Sequence, residues 1–352
     1  MLISILLLLL MQLNSMLATG LGVLTPTNAM IVRIIIATCI LIIYFRKKKI
    51  NVKLYLFTCV MIFFIILNKN QTIINFCFIA WMIYAIRAEG VIESLKGIYY
   101  STIIFSLFFI IFSAKGILKP ELVYIAETGR YRNNMGFLQA NYPGFMAFSC
   151  FITLFSCVGY LKNNTGRISK YLAYIIMAIC FFIPILADSR TPSYAMILSI
   201  VFFLTISCNR IRKVCLLILP FMPLILITLT FYISQNHSVG LNDFLSGRPE
   251  YYSRYLNLIG DDGLFIGSQL PDFPLDNSYL ILLSCFGIFY IPFLMALLYK
   301  GIRNNNNKYM LTVTFSILIY GFTEAVMARP EISVIFLYYY LFAINPDKKT
   351  IA

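Results

Sequence analysis

Arginine and carboxylate residues stand together in short polar strings that separate long apolar runs of this sequence. Arg190 and Arg248 each lie within two residues of an acidic residue in such a string. Asp276 precedes an apolar run, Glu324 lies just inside the end of another, and Arg329 follows it. The planar guanidinium of arginine binds phosphate or carboxylate through two parallel hydrogen bonds, and a desolvated carboxylate can accept a proton because its pKa is raised. The arginines predict a site that binds an anion.

The elements that must position these residues are membrane helices, because the composition excludes a soluble fold. Hydrophobic residues make up 60% of the 352 residues and charged residues only 12%, with a mean hydropathy of +0.84. Globular proteins carry about 25% charged residues, and an apolar run of about 20 residues spans a bilayer as a helix. A soluble enzyme, a secreted disulfide scaffold and a disordered chain are therefore excluded, and an all-α polytopic membrane protein is expected. Twelve apolar runs are candidate spans, or ten to eleven if the short third and fourth runs do not cross: 2–19, 29–45, 54–67, 72–86, 98–114, 143–161, 171–187, 192–208, 214–233, 277–299, 309–327 and 332–345.

Lysine and arginine in the connections between these runs predict the topology, since both residues are enriched in short cytoplasmic loops. Alternate connections and the carboxy-terminal segment hold 18 of the 28 basic residues and three of the 14 acidic residues, a net charge of +15, whereas the other connections have a net charge of −1. We therefore expect one integral membrane domain over 1–352 with both termini in the cytoplasm. The first run lacks the basic start and the cleavage site of a signal peptide, so it is expected to remain as a helix. Because topology accounts for the positive charge, nucleic-acid binding is not expected.

Two outer connections are long, at about 115–142 and 234–276, and the outer face is rich in arginine. Long ordered loops in compact proteins are often functional. The outer face holds seven arginines and three lysines, whereas the inner face holds six arginines and twelve lysines. Topology does not select between the two cations, so the outer arginines predict an anionic ligand. The alternative is that they pair with the 11 outer acidic residues, Arg329 with Glu324 for example.

A short helix is predicted in the second long connection, because Pro249 suits the first turn of a helix. Four apolar residues follow with helical spacing: Tyr252, Tyr255, Leu256 and Ile259. Such a stripe is typical of a helix that lies in the headgroup zone with tyrosines as interfacial anchors. Arg248 would then begin this helix beside lipid phosphates, and Glu250 and Arg254 would form an i,i+4 ion pair on its other face.

Metal and cofactor chemistry has no motif in this sequence. The nine cysteines all lie in or at the ends of apolar runs, and His237 is the only histidine. No Walker loop, dinucleotide fingerprint or internal repeat is present. A zinc site needs several clustered Cys, His or carboxylate ligands, so we expect neither a metal nor a cofactor.

Several strings in the second half of the chain resemble the module shared by bacterial O-antigen ligases and Wzy-type polysaccharide polymerases. They are, in order, Ser189-Arg190-Thr191, Gly247-Arg248, Phe265-Ile266-Gly267 and Asp276-Asn277-Ser278-Tyr279-Leu280, with Gly287 in the run that follows. Upstream, Arg130-Tyr131-Arg132 and the stretch 136–144 are similar to a Gly-Phe-x-His-x-Asn segment of many polymerases. The match covers about 130–331, with a catalytic module at 188–331. Gln139 and Asp276 stand where members of this superfamily have histidine, and these departures favour a polymerase over a ligase.

The resemblance implies metal-independent glycosyl transfer at the outer leaflet of the bacterial cytoplasmic membrane. The growing chain, carried on undecaprenyl pyrophosphate, would pass to the sugar hydroxyl of a new lipid-linked repeat unit, which yields O-antigen, capsule or exopolysaccharide. Arg190 and Arg248 would stabilise charge on the pyrophosphate, and Asp276 would act as the base, with Glu324 and Asp188 as alternatives. Seven residues would bind substrate: Arg130, Arg132, Asn141, Tyr252, Asn277, Glu324 and Arg329. The expected partners are the bilayer, the lipid-linked oligosaccharides, and a flippase and a chain-length regulator of the same pathway.

Three alternatives remain open at this point. Asp276 immediately precedes an apolar run, so it could instead be the N-cap of that helix. The protein could be an O-antigen ligase, or it could be a transporter, a twelve-span flippase for lipid-linked oligosaccharides. A flippase is expected to have two repeated halves around a central charged cavity, whereas no repeat is visible here and the arginines gather on one face.

Overall fold

The computed structural model describes residues 1–46, 51–115, 121–125, 130–236 and 238–343, and this part of the chain is almost entirely helical. Its helices are α1 Leu2–Ser15, α2 Pro26–Arg46, α3 Val52–Asn68, α4 Ile73–Arg87, α5 Val91–Lys115, α6 Tyr142–Leu161, α7 Arg167–Leu186, α8 Arg190–Thr205, α9 Asn209–Ile218, α10 Met222–Gln235, α11 Val239–Phe244, α12 Arg248–Ile266, α13 Ser278–Phe286, α14 Tyr290–Asn304, α15 Lys308–Tyr320 and α16 Ile332–Ala343. A π-helical turn, Met16–Gly20, extends α1. The 3-10 turns Leu219–Phe221 and Gly287–Phe289 join α9 to α10 and α13 to α14.

The helices have the length and composition of a multi-pass membrane protein. In the described part, seven helical segments are long and apolar enough to cross a membrane: Leu2–Gly20, Pro26–Arg46, Val91–Ala114, Tyr142–Leu161, Arg167–Leu186, Asn209–Gln235 and Ser278–Asn304. Five shorter apolar helices lie at the other predicted runs: Val52–Asn68, Ile73–Arg87, Arg190–Thr205, Lys308–Tyr320 and Ile332–Phe342. The prediction of an α-helical membrane protein is confirmed, and the number of spans remains a prediction.

The core of the bundle is built around α6, which is buried along nearly its whole length and contacts α5, α7, α8, α15 and α16. Small residues allow these close approaches, as they do in many membrane proteins. A Cβ on Gly144 would lie 2.7 Å from Ser189 Oγ, and a Cβ on Gly159 would overlap the ring of Tyr309. The central helix therefore holds the beginnings of α8 and α15 in place.

The connections between helices meet in two groups at opposite ends of the bundle. At one end the amino group of Met1 pairs with Glu89 at 2.6 Å. At the other end, six connections contact one another or the adjoining helix starts: α1–α2, α3–α4, α5–α6, α7–α8, α10–α13 and α15–α16. Leu138 N, for example, donates to Gly20 O at 2.8 Å. This second group comprises the connections that the charges assign to the outer face, and we call this end of the bundle the site end.

The connection between α5 and α6 contains a β-hairpin that the sequence did not predict. Strand β1, Leu122–Ile125, pairs antiparallel with β2, Arg130–Asn133. The Asn134 side chain closes this unit, since its Oδ1 accepts hydrogen bonds from Glu121 N at 2.9 Å and Gly136 N at 3.0 Å. The hairpin leads the chain into α6 beside Arg132.

The helix predicted in the second long connection is present as α12, but two details of that prediction were wrong. The face of α12 that carries Tyr252 and Tyr255 is buried inside the protein, so these tyrosines are not interfacial anchors. The expected ion pair of Glu250 with Arg254 is replaced, because the Arg254 guanidinium lies 4.7 Å from the centre of the Phe273 ring. The helix is also longer than expected and is interrupted at Gly260, whose φ is +61°.

Candidate functional site

The site end brings the first turn of α12, the first turn of α13 and the 321–331 connection together. Asn277 Oδ1 accepts hydrogen bonds from Tyr279 N at 2.9 Å and Leu280 N at 3.1 Å, so Asn277 is the N-cap of α13. Its Nδ2 donates to Phe322 O at 2.8 Å and thereby holds the 321–331 connection. The alternative in which Asp276 caps this helix was wrong, and the Asp276 carboxylate is left for other contacts.

Ser278 fixes the same connection at three further points. Its backbone N donates to Gly321 O at 2.8 Å, its Oγ donates to Glu324 O at 2.7 Å, and Met327 N donates to its Oγ at 3.0 Å. α15 ends at Tyr320, whereas the sequence predicted an apolar run to 327. Glu324 therefore stands in a turn held by α13 and not within a helix.

Arg248, Asp276 and Glu324 form a buried group that we call the Arg248 cluster. Arg248 Nη2 donates to Glu324 Oε1 at 2.7 Å and lies 3.7 Å from Asp276 Oδ2. The side chains of Arg248 and Glu324 are only 10% and 9% exposed, whereas that of Asp276 is 32% exposed. Asp276 is consequently the member of the cluster that a ligand can reach most directly.

Burial and mutual charge set the protonation of the cluster. Burial raises the pKa of Glu324 to about 7, although the positive charge of Arg248 opposes this shift. Burial is the largest single effect on Arg248 and opposes its charged form, but the charges of Glu324 and Asp276 and of the neighbouring tyrosines together outweigh it and raise the pKa of the guanidinium. Arg248 Nε is buried and has no hydrogen-bond partner among the described residues. A buried donor without a partner is costly, so the cluster holds an N–H group whose hydrogen-bonding capacity the described residues do not use.

Tyr252 supports the cluster from the next turn of α12. Its hydroxyl lies 3.2 Å from Asp276 O and 3.3 Å from Phe322 O, within hydrogen-bond distance of both carbonyl oxygens. Burial raises its pKa above the ordinary value, so the phenol remains neutral and acts as a donor. Tyr252 thus joins α12 to the start of α13 and to the 321–331 connection. These contacts help to fix the position of Arg248, which lies one helical turn earlier.

Two further arginines lie near the cluster without pairing with Glu324. Arg132 is buried and donates from Nη1 to Asn141 Oδ1 at 2.6 Å. The Arg329 guanidinium lies 5.1 Å from the centre of the Phe145 ring. The positive charges of both residues lower the pKa of Glu324. The sequence alternative of a Glu324–Arg329 pair was wrong, since Glu324 pairs with Arg248.

Three of the sequence candidates lie outside the Arg248 cluster. Arg190 is exposed at the start of α8, whose neighbour Ser189 packs on Gly144 at the start of α6. Asp188 is half-buried and has a left-handed backbone, with φ of +49°. Arg130 pairs through its backbone with Ile125 in the hairpin, and its side chain lies outside the described part of the protein.

A second buried carboxylate at the site end, Glu331, was missed by the sequence reasoning. Ser15 Oγ donates to Glu331 Oε1 at 2.9 Å, and the Gln12 amide is placed to donate to Oε2 at 3.0 Å. Burial raises the pKa of Glu331, and Arg329 opposes this shift. The signal was present in the sequence as polar residues inside the first apolar run, among them Gln12, Asn14 and Ser15.

Gly267 and Gly287 stand at positions where a side chain would overlap neighbouring atoms. Gly267 and Gly287 have φ of +100° and +62°, a backbone region that strongly favours glycine. A Cβ on Gly267 would lie 2.6 Å from Ser284 O, and a Cβ on Gly287 would overlap the Phe265 carbonyl. The end of α12 and the break between α13 and α14 therefore lie in direct backbone contact, which fixes the direction of both helices below the Arg248 cluster.

Compared with protein-family models, with curated proteins and with solved structures, the chain matches none.

Proposed function

We propose that this protein polymerises oligosaccharide repeat units carried on undecaprenyl pyrophosphate, by metal-independent glycosyl transfer at the outer leaflet. The observation that carries the proposal is the Arg248 cluster. A buried arginine with an unused donor stands there beside one buried and one accessible carboxylate. This is the set of groups that a transfer from a lipid pyrophosphate to a sugar hydroxyl requires.

The leaving group determines the role of Arg248. When the sugar–phosphate bond breaks, negative charge grows on the pyrophosphate, and fixed donors in a site of low dielectric stabilise it. Arg248 is fixed by Glu324 on one side and offers Nε on another. Arg132 and Arg329 add positive charge nearby, and Arg190 would contact the same phosphates from the exposed start of α8.

The acceptor determines the role of Asp276. The sugar hydroxyl must lose a proton as it attacks, and a carboxylate within hydrogen-bond reach can accept it. Asp276 is partly exposed, whereas Glu324 is occupied by Arg248. We assign Asp276 as the base and Glu324 as the residue that positions Arg248, with Asn277 and Tyr252 holding the surrounding backbone and Asn141 holding Arg132.

The topology proposed for this activity has twelve spans, both termini in the cytoplasm, and the site end at the outer leaflet of a bacterial cytoplasmic membrane. Support comes from the charge distribution and from the sorting of connections into two groups at the two ends of the bundle. The product would be O-antigen, capsule or exopolysaccharide.

The experiment is polymerisation in proteoliposomes that contain the purified full-length protein and one defined lipid-linked repeat unit. We expect a ladder of longer lipid-linked chains from the wild type, and only a small fraction of that extension from Asp276→Asn or Arg248→Lys at equal protein content. Arg254→Lys is the matched control, because Arg254 lies on the same helix, exposed and stacked on Phe273.

The same assay separates the competing functions. A ligase would transfer a preformed chain to an added acceptor lipid and would leave the single repeats unextended. A flippase would move the single repeat across the membrane without extending it. In cells that lack the protein, single repeats that accumulate on the outer face support the polymerase, and accumulation on the inner face contradicts it.

A further inference from the structure

A large apolar cavity lies at the end of the bundle opposite the Arg248 cluster. It has a volume of about 880 Å³ and is bounded by α3, α4, α13, α14 and α16. Several of its lining residues are also exposed on the outer surface of the bundle, among them Leu56, Val60 and Phe293. The cavity is therefore open sideways, toward the position that lipid acyl chains occupy around a membrane protein.

The depth of the cavity corresponds to one leaflet of a bilayer. On α3 its lining extends from Lys53 to Phe64, and on α4 from Arg87 to Phe76. Eleven residues of α-helix rise about 17 Å, and half of a hydrocarbon core is about 15 Å thick. A lipid tail inserted from this end of the bundle would thus be covered over its full depth.

The mouth of the cavity is positively charged. Lys53, Arg87 and Lys300 line it at the end where α3 begins and α4 ends, together with the amides of Asn51 and Asn304. Within the described part of the chain, no carboxylate lines the cavity and none of these three cations forms an ion pair. Cations at a membrane surface attract anionic lipid headgroups, and asparagine amides can donate further hydrogen bonds to phosphate oxygens.

We infer that this cavity is a binding site for an anionic glycerophospholipid of the inner leaflet, which goes beyond the proposed transferase activity. The acyl chains lie between α3 and α14, and the phosphate lies among Lys53, Arg87 and Lys300. The apolar walls and the charged mouth fit the two parts of such a lipid at the correct spacing. Phosphatidylglycerol has this chemistry, whereas phosphatidylcholine has the same tails and no net charge.

The test measures lipid retention by native mass spectrometry on the purified full-length protein, supplied with phosphatidylglycerol or phosphatidylcholine. The wild type should retain phosphatidylglycerol in preference and should be stabilised by it against heat. The triple variant Lys53→Gln, Arg87→Gln, Lys300→Gln should bind it at least about tenfold more weakly, because each of the three cations contributes about a fivefold preference, or roughly 100-fold if they act independently.

A matched control removes the same charges elsewhere on the predicted inner face. Arg167→Gln, Lys170→Gln, Lys213→Gln also changes one arginine and two lysines, at positions outside the cavity lining, and should retain the lipid as the wild type does. A second variant, Ala80→Trp, keeps every charge but fills the cavity, and it should also lose the lipid.

Four results would overturn the inference. They are equal retention of the two lipids, equal loss in both triple variants, stabilisation by inorganic phosphate as large as that by phosphatidylglycerol, and preferential retention of undecaprenyl phosphate. None of these measurements depends on polymer synthesis, so failure of this site and failure of the proposed function are distinguishable.

Discussion

Arg248 illustrates why a buried ion pair in this protein indicates function more strongly than stability. Removing charged groups from water is costly, and a buried pair is often no more stabilising than packed apolar residues. Removing only one partner leaves an uncompensated charge, at a cost of about 3–5 kcal/mol. The Arg248–Glu324 pair carries this liability and still leaves Arg248 Nε without a hydrogen-bond partner among the described residues. The proposed binding role for the guanidinium would account for that arrangement.

The first prediction at the residue scale concerns the shape of this cation. Arg248→Lys retains the charge and can still pair with Glu324, but it loses the planar fork that binds phosphate through two hydrogen bonds. We expect most chain growth to be lost at normal protein levels, and the same for Arg190→Lys, while Arg254→Lys remains active. Gel analysis of polymer from matched membranes measures this. Normal polymer from both Lys variants would exclude phosphate binding as their role.

The second prediction concerns the base. Asp276→Asn removes the proton acceptor and should lower the rate roughly 100-fold or more. Because Asn277 caps α13, the change should leave the thermal stability of the purified protein near that of the wild type. Initial rates in proteoliposomes, with protein quantified in the same samples, measure this. A nearly normal rate would transfer the role to Glu324 or Asp188.

The third prediction concerns pH. The pKa of Glu324 is raised to about 7, so the fraction of ionised Glu324 falls as the pH drops through neutrality. A protonated Glu324 no longer holds Arg248 by charge, and the initial rate should decline below about pH 7. The decline should be absent in Glu324→Gln and should persist, at a lower overall rate, in Asp276→Asn. Loss of the decline in Asp276→Asn alone would contradict the assignment of Glu324.

Sequence proximity proved a poor guide to partners at this scale. Arg329 stands five residues from Glu324, yet the partner of Glu324 is Arg248, 76 residues away. The residue types and the strings in which they stand could be predicted because buried charge is rare in apolar sequence. The pairing could not, since it depends on how α12 and α13 meet.

At the scale of elements, the apolar runs were predictable and the features of the connections were not. A run of apolar residues marks a membrane helix by length alone. Residues 122–125 and 130–133 carry no such signal, so the hairpin was missed. The Tyr252 and Tyr255 stripe was visible, but helical periodicity identifies a buried face without saying whether lipid or protein covers it.

A prediction at this scale tests the backbone contact below the cluster. Gly287→Ala would force a Cβ against the Phe265 carbonyl at a positive φ, where strain of about 1–3 kcal/mol is expected. We expect a lower unfolding temperature in detergent and reduced polymer. Gly240→Ala is the control, because a Cβ there meets nothing within 4 Å, and it should be neutral or slightly stabilising. Equal stability of the two variants would show that the α12–α13 contact is dispensable.

For the whole molecule, the two ends of the bundle carry different chemistry. The site end collects arginines and buried carboxylates, and the opposite end collects lysines around an apolar cavity. This division is what the proposed topology and function predict. Cations on a cytoplasmic side would orient the chain in the membrane whatever their shape, whereas arginines on the other side would be selected by the proposed anionic ligand.

The orientation of the molecule gives the last prediction. A cysteine introduced at Ser238, exposed in the connection that leads to α12, should react with a membrane-impermeant maleimide in intact cells. A cysteine at Asn163, in the connection between α6 and α7, should react only after the membrane is opened, because Lys162, Arg167 and Lys170 predict that this connection is cytoplasmic. The parent chain measures reaction of the native cysteines. Labelling of both positions from the same side would contradict the topology, and labelling of Asn163→Cys alone in intact cells would place the Arg248 cluster in the cytoplasm, where an outer-leaflet transferase could not act.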